Sequence, residues 1–200
     1  MASNNYIYKM SNAGGMSTIT RYVDMLAGNT TWNPWEPAGA YDALATVTVP
    51  SGGAASVTFA GIPTGYKHLQ LRTVVQQAST GGSVEIIMSN ATFVRRHYLY
   101  GSGSGSALAG SDTSNAPGIF SSAFSSGSSI FAASVLDILD YNSTQNKTTR
   151  SLGGVDNNGS GSIFLMSSLY TSSSAITSIT LNATSQNFTQ NSQFALYGIK

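Results

Sequence analysis

Apolar and polar residues alternate along most of the chain from about residue 44 onward. The stretches LATVTV and ASVTFA have period two and are joined by PSGGA, a turn composition, so they predict two strands of a β-hairpin. HLQLRTVVQQ follows the turn IPTGYK, and GSVEIIMSN and FVRRHYLYG read as the next strands. GSGSGSALAGSDTSNAPG, residues 101–118, predicts a loop, too rich in Gly and Ser for regular structure. SIFAASVLDILDY predicts the longest apolar strand. KTTRSLGGV and SGSIFLMSSLY flank DNNG, where Asn158-Gly159 supplies a tight hairpin turn. AITSITLNA and QFALYGIK complete nine or ten strands at regular spacing, the pattern of a sandwich, jelly roll or closed barrel. The length and the long middle loop fit an all-β, jelly-roll-type antiparallel sandwich best. In the last strand, alternation sends Phe194 and Leu196 inward, with Ile199 as a further candidate, so the domain is expected to finish on a paired strand of the sheet body.

Residues 1–43 have a different pattern and are expected to form an arm ahead of the β-domain, residues 44–200. MSTITRYVDMLAG predicts one short helix, with Ser17 as N-cap and Gly28 as the stop. Ile19, Tyr22, Val23 and Leu26 fall at i, i+3, i+4 and i+7 and form one apolar stripe. A helix of about 11 residues is marginal alone in water, so the stripe must dock on something. In NTTWNPWEPAGAY, Pro34 and Pro37 prevent regular structure, while Trp32, Trp35 and Tyr41 present large apolar faces with polar tips. These seven residues are the candidate assembly contacts. Aromatic enrichment fits an interface, and packing on the arm's own domain fits equally well.

Charged residues make up only 8% of the chain and the net charge is +1, against about 25% in an ordinary soluble domain. No basic stripe is present to neutralise phosphates, so nucleic acid is not an expected partner. Weak self-repulsion suits a subunit fixed in an assembly better than a free monomer. There are no cysteines, which excludes disulfides, thiol catalysis and Cys-ligated zinc. The start lacks the basic head and apolar stretch of a signal peptide, and no run is long enough for a membrane helix, so synthesis in a cytoplasm without membrane insertion is expected.

Candidate chemistry is sparse. His68 and His97 fall in different strands without an oriented partner in the sequence. Asp137 and Asp140, three apart in one strand, should point to opposite faces, whereas paired-carboxylate glycan cleavage needs both on one side. They are expected at a strand end or interface, beside Arg150 or Arg96. Asp156 opens DNNGSG, but no distant acidic ligand follows as an EF-hand loop requires. GSGSGSALAGS lacks the Gly-Lys-Ser/Thr of a phosphate loop. The Asn-x-Ser/Thr sequons, such as Asn142-Ser143-Thr144, follow from composition. No enzyme, metal or cofactor site is expected.

YKMSNAGGMSTITRYVDMLAGN, GYKHLQLR, VLDILDY, RSLGGVDNNGSG and FALYGIK together resemble a group of tailed-phage virion structural proteins, the closing FALYGIK being the most specific piece. The resemblance covers most of the chain and implies a protein displayed on a particle rather than an enzyme. Within the group, some members are described as head decoration and others as tail fibre or receptor-binding proteins. It implies assembly in a bacterial cytoplasm, a final place in the virion, and other capsid or tail proteins as partners. By fold analogy, jelly-roll knobs associate as homotrimers. The principal expectation is therefore a capsid decoration, cement or head-fibre subunit held by its arm. The alternative is a tail-tip module for host attachment, recognising surface glycan through the 101–118 loop, with Tyr98 and Tyr100 facing the receptor.

Overall fold

The computed structural model describes residues 40–78, 83–89, 94–103, 105, 107–112, 119–121, 130–156, 160–184 and 186–200. The predicted helix, and with it Ile19, Tyr22, Val23, Leu26, Trp32 and Trp35, lies outside the described residues. The chain divides into two units, Met1–Gly39 and Ala40–Lys200, and only the second is described here.

That unit is all-β and antiparallel. Its strands are β1 (Tyr41–Thr48), β2 (Ser56–Ala60), β3 (His68–Val75), β4 (Val84–Met88), β5 (Val94–Ser102), β6 (Ala107–Asp112), β7 (Ile119–Ser121), β8 (Ala132–Ile138), β9 (Lys147–Asp156), β10 (Gly161–Tyr170), β11 (Ser178–Ala183) and β12 (Gln193–Ile199). A long sheet has the order β1-β12-β3-β8-β9-β10-β5-β6, and a short sheet the order β2-β11-β4-β7.

Several expectations change. LATVTV and ASVTFA are strands, but they do not pair as a hairpin: β1 pairs with β12 and β2 with β11, so PSGGA crosses from one sheet to the other. Gly52 and Gly53 take φ values of 97° and 76° in that crossing, which only glycine adopts without strain. The predicted loop of residues 101–118 is partly sheet. β5 runs on to Ser102, and ALAGSD forms β6 against it, with Leu99 opposite Ala109 and Tyr100 opposite Leu108. Small residues do not forbid a strand when a neighbour supplies its ladder. Tyr41, expected in the arm, is instead the first residue of β1, opposite Ile199.

The hydrophobic core draws on both sheets. Val57, Phe59, Val84, Ile86, Met88, Ile179 and Leu181 come from the short sheet; Leu69, Leu71, Val75, Leu136, Ile138, Phe194 and Leu196 come from the long one. β12 is paired on both sides and sends Phe194 and Leu196 inward. Ile199 has the opposite parity and lies on the other side of the sheet, which corrects the expectation that it joins them. Each such Leu or Phe contributes about 1.5–3 kcal/mol on burial.

Three long polar side chains fasten the interior. The Tyr170 hydroxyl donates to the Met88 carbonyl, joining β10 to β4 across the two sheets, and the Tyr141 hydroxyl donates to the Pro63 carbonyl. Lys147 is fully buried, and its ammonium donates to the carbonyls of Ser143, Ser172 and Ser174 at 2.8, 2.9 and 2.7 Å. It thereby ties the β8–β9 turn to the segment after β10.

Candidate functional site

The long sheet has an inner face toward the core and an outer face away from it, and the two halves of the sheet use them differently. In the half formed by β1, β12, β3 and β8, the outer face is polar and internally bonded. Arg72 donates from Nε to the Gln70 amide oxygen at 2.7 Å, and Gln70 Nε2 donates to Asp137 Oδ1 at 2.8 Å. The Arg72 guanidinium also stands 4.7 Å from the Tyr197 ring centroid and 5.5 Å from that of Tyr41. Ring, guanidinium, amide and carboxylate form one chain of contacts, each worth about 0.5–1.5 kcal/mol.

In the half formed by β9, β10, β5 and β6 both faces are mixed. Inward parity belongs to Lys147, Thr149 and Ser151 on β9 and to Ser168 on β10, all buried, alongside Val155, Met166 and Tyr170. The hydroxyls of Thr149, Ser162 and Ser168 are buried and have no hydrogen-bond partner among the described residues. The outer face carries the leucines instead. Leu152, Leu165 and Leu99 stand side by side in one row, at 49%, 44% and 57% exposure, and Ala109 continues the row. In the next row Ile163, 58% exposed, stands between Gly154 and Gly101, and the row runs on through Ala133 to Val74, 45% exposed.

The pleat enforces this arrangement. Side chains alternate with period two, so once Met166 and Tyr170 are committed to the interior, Ile163 and Leu165 must face out. A shift of one residue would exchange the faces, and the tyrosine bond to Met88 would be lost with it.

Small residues shape the outer face into a groove of about 1030 Å³ over Gly153 and Gly154, walled by Val74, Ala133, Val135, Leu152 and Ile163. A Cβ on Gly154 would stand 2.5 Å from the Ser162 carbonyl oxygen, so the strands approach too closely there for any other residue. Charge borders the apolar rows. On one side lies the row of Arg150, Ser167 and His97; on the other, Asp156 ends β9. Arg150, His97 and Asp156 are all exposed.

Tyr98 and Tyr100, expected to face a receptor, have the parity of the inner face. Tyr98 packs against the core with its ring over Gly110, and Tyr100 stacks on Phe164 with ring centroids 4.4 Å apart. The β5 side chains that look outward are Arg95, His97 and Leu99. Asp137 and Asp140, expected on opposite faces of one strand, are instead divided between β8 and the turn that follows it. Asp137 joins the outer network opposite Arg150, whereas Asp140 lies in the turn after β8 with φ 48°. Its backbone N–H donates to His68 Nδ1 at 2.9 Å, which fixes that ring nitrogen as an acceptor.

The leucine face was not singled out from the sequence, although β10 carries a signal for it. IFLM places four apolar residues in succession, so that strand is apolar on both faces, whereas a sheet with one wet face alternates. Lys147 gave no such signal: a lysine between Asn and Thr reads as exposed. Comparison of the chain with protein-family models, curated proteins and solved structures finds no match.

Proposed function

We propose that this protein is a structural subunit of a tailed-phage particle: a capsid decoration, cement or head-fibre protein, built on a jelly roll and held in a homo-oligomeric assembly. The observation that carries the reading is the bare leucine face on β9, β10 and β5. An apolar patch of several hundred Å² is the largest that a typical protein exposes, and such a patch is often a functional contact surface.

The strand order supports the jelly-roll part. With the pairs β5–β6 and β9–β10 set aside, the remaining strands run β1-β12-β3-β8 in one sheet and β2-β11-β4-β7 in the other. Renumbered one to eight, these are 1-8-3-6 and 2-7-4-5, the order produced by winding one long hairpin into two sheets. The two pairs set aside extend the first sheet, and they carry the leucine face. The fold thus supplies the scaffold, and its additions supply the contact. The resemblance of FALYGIK and the associated stretches to phage virion proteins supports the virion setting. Residues 1–39, whose sequence holds the apolar stripe and two tryptophans, are the part of the chain assigned to gripping the particle.

The test is cryo-electron microscopy of virions labelled with antibody to this protein. Label distributed over the head is expected. Label confined to the tail would replace decoration with host attachment, and absence of label from virions would overturn the reading.

A further inference from the structure

The geometry points to a specific occupant for the leucine face: the same face of a second copy, turned about a two-fold axis that lies between the sheets and perpendicular to the strands. This contact takes from the proposed function only that the protein assembles with itself.

Three observations select a second copy. The first is shape. The apolar face has a row of knobs, Leu152, Leu165 and Leu99, beside a row with two gaps, Gly154 and Gly101, around Ile163. Rotation about an axis running between these rows places each row on the other. Leu152 of one copy then enters the groove over Gly154 of its partner, and Leu165 meets Ile163.

The second is charge. The same rotation places the Arg150 row on the Asp156 row, since both lie one step beyond the apolar pair on opposite sides. Arg150 of each copy therefore meets Asp156 of the other, twice per dimer, as an isologous contact requires. Within one chain these two residues are six positions apart along β9, about 20 Å, so a contact between them is a contact between copies.

The third is area. The exposed parts of Val74, Leu99, Leu152, Ile163 and Leu165 come to about 500 Å². Two copies together bring about 1,000 Å² of apolar surface, the threshold a biological interface has to clear, before the bordering Arg150 and Asp156 rows are added. An aligned sheet-on-sheet stack is also the standard way for an apolar sheet face to be covered.

The experiment is sedimentation equilibrium of the full chain across a concentration series, with four variants. The wild type is expected as a dimer of two 20.8 kDa chains. Leu165→Glu, with an unchanged circular dichroism spectrum, is expected to raise the dissociation constant at least about 100-fold, by burying a charge at the centre of the contact. Arg150→Asp and Asp156→Arg are each expected to raise it about tenfold. The chain carrying both is expected to recover most of that loss, since the exchanged charges meet again across the axis. Residues this far apart in one chain otherwise act additively, so recovery reports the contact between copies. A monomeric or trimeric wild type overturns the inference, as does a dimer indifferent to Leu165→Glu or a double variant weaker than either single one. A dimer absent from virions would remove the virion reading and leave this contact standing, and a monomer found on virions would do the reverse.

Discussion

The two halves of the long sheet follow the same pleat and finish their outer faces differently. From β1 to β8, leucines and a phenylalanine face the core, and Arg72, Gln70, Asp137, Tyr41 and Tyr197 satisfy one another outside. From β9 to β6, the inner side mixes a lysine, threonine and serines with Val155, Met166 and Tyr170, and the outer side carries leucines and an isoleucine between rows that hold Arg150, His97 and Asp156. In the first half most of the outside is finished by its own side chains, Val74 excepted. In the second, the outside resembles an inside that lacks its cover. A sheet chooses its faces by total burial, and the second half accepts buried hydroxyls in order to present its leucines outward.

The sharpest way to break this comparison is at Lys147. Lys147→Met keeps most of the stem but deprives the carbonyls of Ser143, Ser172 and Ser174, the second of them buried, of their donor, and it is expected to cost about 3 kcal/mol in chemical denaturation. A cost under about 1 kcal/mol would mean that the inner side of the second half is effectively wet.

Next come two leucines on opposite faces. Leu136→Ala, in the core of the first half, is expected to cost about 2–5 kcal/mol. Leu165→Ala, on the outer face of the second, is expected to change the stability of the unassociated protein by no more than about 0.5 kcal/mol. Equal losses in dilute unfolding experiments would erase the distinction between the halves.

The tyrosine that joins the sheets gives a pH signature. Burial pushes the Tyr170 hydroxyl above its ordinary value of 10.0, and burial raises Tyr141 as well. In the unfolded chain these phenols ionise near pH 10; in the fold they hold their protons to higher pH. Their contribution is therefore complete below pH 10 and is lost as pH rises through the folded-state values. Unfolding free energy is expected to fall steadily above pH 10. Tyr170→Phe should make that fall shallower and should cost about 1 kcal/mol at neutral pH through the missing bond to Met88. An alkaline limb identical in the variant would remove Tyr170 from this role.

The smallest expected effect is in the outer network of the first half. Arg72→Ala removes the hydrogen bond to Gln70 and the contact with the Tyr197 ring, a loss of about 1 kcal/mol in chemical denaturation. An unchanged unfolding free energy would remove this network from the account of the first half.

Much of the scaffold was legible in the sequence. Period-two alternation marked β1–β5 and β8–β12, and Asn158-Gly159 marked the β9–β10 hairpin, whose strands pair from Gly161 opposite Asp156 to Tyr170 opposite Lys147. What alternation cannot specify is the partner of each strand. β1 and β2 were therefore read as a hairpin, and β6 was missed because its ALAGSD borrows regularity from β5. The candidate face was hidden for a related reason. Alternation identifies two faces but not which is wet, and in β9 both sides are mixed: Lys147, Thr149, Ser151 and Val155 are buried, while Thr148, Arg150, Leu152 and Asp156 are exposed. The same ambiguity placed Tyr98 and Tyr100 outside, when the leucine between them has that position.

The most direct test of the central claim is oxidative footprinting of the full-length protein at rising concentration, read residue by residue. Leu99, Leu152, Ile163 and Leu165 are expected to lose reactivity together as copies associate, while Leu108, 56% exposed on the other face of edge strand β6, keeps its own. Unchanged reactivity of the four, or protection of Leu108 in their place, would contradict the assignment of the leucine face as the surface that assembly covers.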